Sequence, residues 1–76
     1  MTIEERDQAL FVSCPRAVQG TLVLYDPAGR EVYRHDVSVS DAGARIETTT
    51  VFSRGVYIAR LRSADGGDFR GKLVLR

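Results

Sequence analysis

The sequence predicts an all-β domain, an antiparallel sandwich of six to seven short strands, on three observations. Apolar residues alternate in short runs, as in TLVLY (21–25) and GVYIARLR (55–62). Turn signals, among them DPAG (26–29) and DGG (65–67), recur about every ten residues. A length of 76 residues suffices for one domain with a thin core.

The elements follow in order. Residues 1–8 (MTIEERDQ) are polar and acidic and read as a tail or leftover segment outside the domain. Thr2 and Glu5 have capping-box spacing for a short helical turn. The domain proper is then 9–76. Ala9 to Ser13 (ALFVS) is a first strand, ended by Pro15, which has no N–H to give a ladder. Gly20 opens the next strand, whose Leu22 and Leu24 face one way and Val23 and Tyr25 the other. Asp26 to Arg30 forms a turn. Pro27 suits its first central position, and Gly29 the left-handed conformation that closes a bulged hairpin.

Glu31 to Val37 is the return strand, with Val32 on one face and Tyr33, His35 and Val37 on the other. Ser38 to Gly43 is a polar loop. Ala44 to Thr50 is a β-branched strand at an edge. Val51 to Gly55 is a corner whose Val51 and Phe52 tuck into the core. Gly55 to Arg62 places Tyr57, Ala59 and Leu61 on one face. Ser63 to Asp68 is a glycine hairpin, and Phe69 to Leu75 closes the domain.

Eleven Lys and Arg stand against ten Asp and Glu, with acids interspersed throughout. No nucleic-acid partner is expected from such a balance. No apolar run is long enough to span a bilayer. One cysteine, Cys14, excludes an internal disulfide. The start lacks a signal-peptide pattern, so an exported form is expected to have its natural N-terminus elsewhere.

Candidate chemistry is sparse, and neither an enzyme nor a cofactor is expected. Cys14, His35 and Asp36 suggest a thiol–imidazole site, but His35 and Asp36 are sequential and face opposite sides of a strand. Asp65 and Asp68 flank Gly66-Gly67, yet a calcium loop needs more oxygen ligands. They read as turn carboxylates, as do Asp26 and Asp41. Tyr25, Tyr33 and Tyr57 read as packing residues, with the Tyr57 hydroxyl anchoring the corner. Arg30, Arg34, Arg60, Arg62 and Arg70 read as solvent-facing cations that blunt strand edges.

Four pieces in order, LVLYDPAGREV (22–32), ARIETTT (44–50), SRGVYIARL (53–61) and GKLVLR (71–76), give the chain a family resemblance. It resembles the C-terminal sorting domain of type IX secretion cargo, the type A form that folds as an immunoglobulin-like sandwich. Matching motif positions are Asp26, Gly29 and Arg30, then Ile46, then Phe52, Gly55 and Tyr57, then Lys72, Leu73, Val74 and Leu75. The family's proline–asparagine–proline opening has only Ser13-Cys14-Pro15 in its place. The resemblance implies a non-catalytic address label on an upstream cargo protein. Its partners would be the outer-membrane secretion machinery and a sortase-like peptidase. Its location would be the periplasm in transit, then the cell surface or medium. The strand Lys72 to Arg76 would be the part the machinery reads, and deleting it would abolish export. The alternative is a generic extracellular immunoglobulin-like spacer or binding module of a larger surface protein.

Overall fold

Seven antiparallel strands form two facing sheets in a computed structural model that describes residues 1–48 and 52–76. They are β1 (Thr2–Arg6), β2 (Ala9–Ser13), β3 (Val18–Tyr25), β4 (Glu31–Val39), β5 (Ala44–Glu47), β6 (Gly55–Ser63) and β7 (Asp68–Leu75). One sheet has the order β1-β2-β5 and the other β4-β3-β6-β7. The fold is thus the expected all-β antiparallel sandwich, with seven strands in two sheets. The connections β2–β3, β4–β5 and β5–β6 pass between sheets, and the other three are hairpins within a sheet.

The inner faces meet in a core built by strand alternation. Leu10, Val12 and Ile46 come from the three-stranded sheet, and Leu22, Leu24, Ala59, Leu61 and Leu73 from the four-stranded one. Tyr57, Ala59 and Leu61 are buried together, as the period of two in β6 predicts.

Residues 1–8 are not a tail. Thr2–Arg6 pairs residue for residue with Ala9–Ser13, and Ile3 is buried in the core beneath β7. A single apolar residue among polar neighbours suffices because only one β1 side chain faces inward. Asp7 and Gln8 turn the hairpin with positive φ (51° and 63°), a geometry that glycine or asparagine ordinarily supplies.

Other boundaries move where burial overrides turn chemistry. β3 begins at Val18 rather than Gly20, because Val18 is buried opposite Val39. For the same reason β4 runs on to Val39, and the turn shrinks to Ser40–Gly43, closed by the Gly43 amide on the Ser40 carbonyl at 2.9 Å. β5 is the outermost strand of its sheet, as expected. The expected residues Thr49, Thr50 and Val51 lie outside the described residues.

A bulge shifts the β3–β4 register between Leu24 and Tyr25, so Leu24 faces Tyr33 while Tyr25 faces Glu31. Val32 is the extra residue. Val32 and Tyr33 therefore both pack against the core, where simple alternation sends them to opposite faces. The same bulge puts Glu31 and Arg34 on one face, where they form a two-point ion pair at 2.7 and 3.1 Å.

Candidate functional site

The five residues of the expected recognition strand share β7 and its end but not one environment. Leu73 is fully buried opposite Tyr57, and Leu75 is half-buried against the core opposite Gly55. Lys72 and Val74 face outward opposite Ile58 and Val56, and Arg76 is exposed just past the strand. β7 is the outermost strand of its sheet. Its core-facing residues fix it in place while alternate side chains project to solvent.

The outer face of the four-stranded sheet is a grid set by register. One row runs Asp36, Thr21, Arg62, Asp68, and the next Arg34, Val23, Arg60, Arg70. A third runs Glu31, Tyr25, Ile58, Lys72, and Val56 with Val74 ends the grid. Val23 is only 2% exposed although it points away from the core. Its direct neighbours in the row are Arg34 and Arg60, and long side chains of this kind cover adjacent apolar surface with their stems while their charges stay wet.

Each acid on this face has a partner. Glu31 is held by Arg34, Asp68 by Arg60 at 2.8 and 3.1 Å, and Asp36 accepts from the Thr21 hydroxyl at 2.9 Å. The Arg34 and Arg60 guanidiniums hold the Glu31 and Asp68 carboxyls below the usual carboxylate range. Arg62, Arg70 and Lys72 make no ion pair among the described residues. Beside them Val56, Ile58 and Val74 are, among the described residues, the large hydrophobic ones left open, each between 43% and 45% exposed.

The remaining motif residues build two connections at the same end of this sheet. The Asp26 carboxylate accepts from the Ala28 amide at 3.0 Å and the Arg30 amide at 2.9 Å, and pairs with the Arg30 guanidinium. Those bonds, the Arg30 amide foremost, push the carboxyl below its ordinary pKa. Gly29 takes φ +85° there, which closes the turn. Across the sheet the Tyr57 hydroxyl donates to the Ser53 carbonyl at 2.7 Å. Phe52 stacks edge-on between Tyr57 and Tyr33. Asp26, Gly29, Arg30, Gly55 and Tyr57 are thus turn and corner residues.

The other candidates stay apart. Cys14 is half-buried against the core, and burial raises its thiol pKa. His35 lies beside the Tyr33 ring at 6.2 Å between centroids, while Asp36 sits on the opposite face with Thr21. Among the described residues no group of three or more Asp, Glu, His or Cys side chains is placed to hold a metal ion.

Asp65 is more than a solvated turn residue. Arg16, 49 residues away, grips it at 3.1 and 3.3 Å. The Ser63 hydroxyl first, then Arg16 and the Gly67 amide, pull its carboxyl far down. Arg16 also lies over the Phe69 ring at 5.3 Å, so it clasps the β2–β3 loop to the β6–β7 hairpin. Sequence reasoning missed Arg16 because neither loop predicts the other. It also missed Phe11, which on the outer face of the smaller sheet sits under the Arg6 and Arg45 guanidiniums at 4.3 and 5.8 Å. Glu4 and Glu47 neutralise those two cations. The shallow groove over Phe11, about 610 Å³, therefore carries no surplus charge.

Compared with known protein families, with curated proteins and with solved structures, the chain matches none of them.

Proposed function

We propose that the domain is a non-catalytic recognition module, a sorting domain of the type IX secretion kind, read through β7. The observation that supports this reading is the division of labour in that strand. Leu73 anchors it in the core while Lys72 and Val74 are held outward in one extended strand at a sheet edge, with Arg76 exposed just past its end. An edge strand of this sort offers a receptor both backbone groups and alternate side chains. The motif residues Asp26, Gly29, Arg30, Gly55 and Tyr57 serve here to brace the end of the sheet where β7 finishes.

The test is an export assay. Residues 1–76 are fused behind a fluorescent reporter that carries an inner-membrane signal peptide, in a host with a type IX apparatus. Export with loss of the domain supports the reading. Retention of a folded, uncleaved fusion in the periplasm sinks it. Deleting Lys72 to Arg76 is a poor variant because it removes the buried Leu73 and with it part of the core. The informative variant is Lys72→Glu with Val74→Ser and Arg76→Glu, which alters only outward positions.

A further inference from the structure

The four sheet edges differ in how open they are to another strand. β5 offers four residues and β1 five, and the register of β4 is broken by its bulge. Short and bulged edges resist pairing. β7 is eight residues long and keeps an unbroken register with β6 from Asp68 to Leu75. Among the described residues it is the long edge without a bulge, and the open patch of Val56, Ile58 and Val74 lies next to it.

The charges around this edge select its occupant. The outer face carries five basic side chains (Arg34, Arg60, Arg62, Arg70, Lys72) and three acidic ones (Glu31, Asp36, Asp68), whereas the whole chain has a net charge of only +1. The acids are already engaged. The unpaired cations Arg70 and Lys72 stand on β7 itself, at alternate positions before Val74.

We infer that the β7 edge takes up an extended acidic–apolar segment of another protein as a fifth strand. Its outward side chains would be acidic opposite Arg70 and Lys72 and apolar opposite Val74, beside Val56 and Ile58. Opposite charges directly across a strand pair attract, and like charges repel. A second copy of this chain meets that repulsion in a register of fullest overlap, where a two-fold contact centred on Gly71 sets Arg70 against Lys72. An anionic bilayer is the weaker match. Three unpaired cations fall short of the basic clusters that hold proteins to such surfaces, and carboxylates are interspersed among them. The inference rests on the reading of β7 as the recognised strand and adds the chemistry of what recognises it.

The experiment is a titration of the full 76-residue chain with a synthetic peptide alternating glutamate and leucine, followed by NMR and calorimetry. The controls are a lysine-for-glutamate peptide, a peptide with alternate amides N-methylated, and phosphatidylcholine vesicles containing one quarter phosphatidylglycerol. The acidic peptide is expected to bind and to shift the β7 amides, and N-methylation should abolish this. Arg70→Glu with Lys72→Glu should weaken acidic-peptide binding roughly tenfold or more and confer binding of the lysine peptide. Both positions are exposed, so the fold, checked by circular dichroism, should persist.

Equal binding of acidic and basic peptides, or binding indifferent to charge reversal or N-methylation, overturns the inference. So does charge-sensitive binding of the vesicles without the peptide, or self-association that Val74→Ser abolishes. Loss of peptide binding with export intact discards the acidic strand and leaves the sorting reading standing. Failed export with peptide binding intact does the reverse.

Discussion

The Tyr57 hydroxyl donates to the Ser53 carbonyl at 2.7 Å and ties the entry of β6 to the chain leading into it. Tyr57 is otherwise buried, with Phe52 against its ring at 6.0 Å. The bond and the ring have separable effects. Tyr57→Phe should cost about 1 kcal/mol, the net worth of one hydrogen bond. Tyr57→Ala should cost about 3–5 kcal/mol, as for other aromatic truncations in cores. Urea unfolding of both variants checks this. Equal losses would mean that the ring contributes nothing beyond the hydroxyl.

β1 belongs to the domain, so a chain starting at Ala9 should be less stable than the whole. It loses the buried Ile3 and exposes the flank of β2 that pairs with Thr2–Arg6. The expected loss is about 2 kcal/mol or more, a large part of what so small a core provides. Thermal melts of 9–76 and 1–76 measure it. Identical melting would return residues 1–8 to the status of a tail.

Two glycines should respond oppositely in kind. A Cβ at Gly20 would stand 2.0 Å from the Arg62 carbonyl oxygen, and backbone has no room to yield. Gly20→Ala should therefore force β3 and β6 apart and destabilise by about 3 kcal/mol or more. A Cβ at Gly29 meets nothing within 4 Å, and only φ +85° opposes it. Gly29→Ala should cost about 1–2 kcal/mol. Denaturant midpoints decide between them.

Acid should destabilise the fold. Asp26, Glu31, Asp65 and Asp68 all have carboxyl pKa values lowered by amide, hydroxyl or arginine donors. A folded pKa below the unfolded one gives stability that is complete above the unfolded value, about 4, and is lost as pH falls through the folded value. Urea midpoints should hold steady above roughly pH 5 and drop below roughly pH 4. Asp26→Asn should flatten that drop, because it removes one of the four groups. An unchanged slope would show that the Asp26 bonds persist in the unfolded chain.

The Arg16–Asp65 clasp should matter locally rather than globally. Both side chains are about half exposed, and exposed pairs contribute little to overall stability. Arg16→Ala should leave the melting temperature nearly unchanged. Hydrogen exchange at the Gly67 amide, which donates to Asp65 at 3.1 Å, should quicken. Unchanged exchange would show that the hairpin holds its shape without Arg16.

The sequence by itself determined the class of fold, the main strands and two of the connections. Alternation placed Tyr57, Ala59 and Leu61 inward, and the spacing of Asp26, Gly29 and Arg30 defined the turn. These are local properties, fixed by a period of two and by side chains that bond their own backbone. The candidate strand Lys72 to Arg76 was legible as a strand, but its division into a buried Leu73 and outward Lys72 and Val74 beside Ile58 was not. Tertiary structure alone decided that Ile3 completes the core, that Val23 is buried between Arg34 and Arg60, that Val32 and Tyr33 share a side, and that Arg16 finds Asp65. Each depends on which strand lies beside which, and strand order is set by burial across the two sheets rather than by any single stretch of chain.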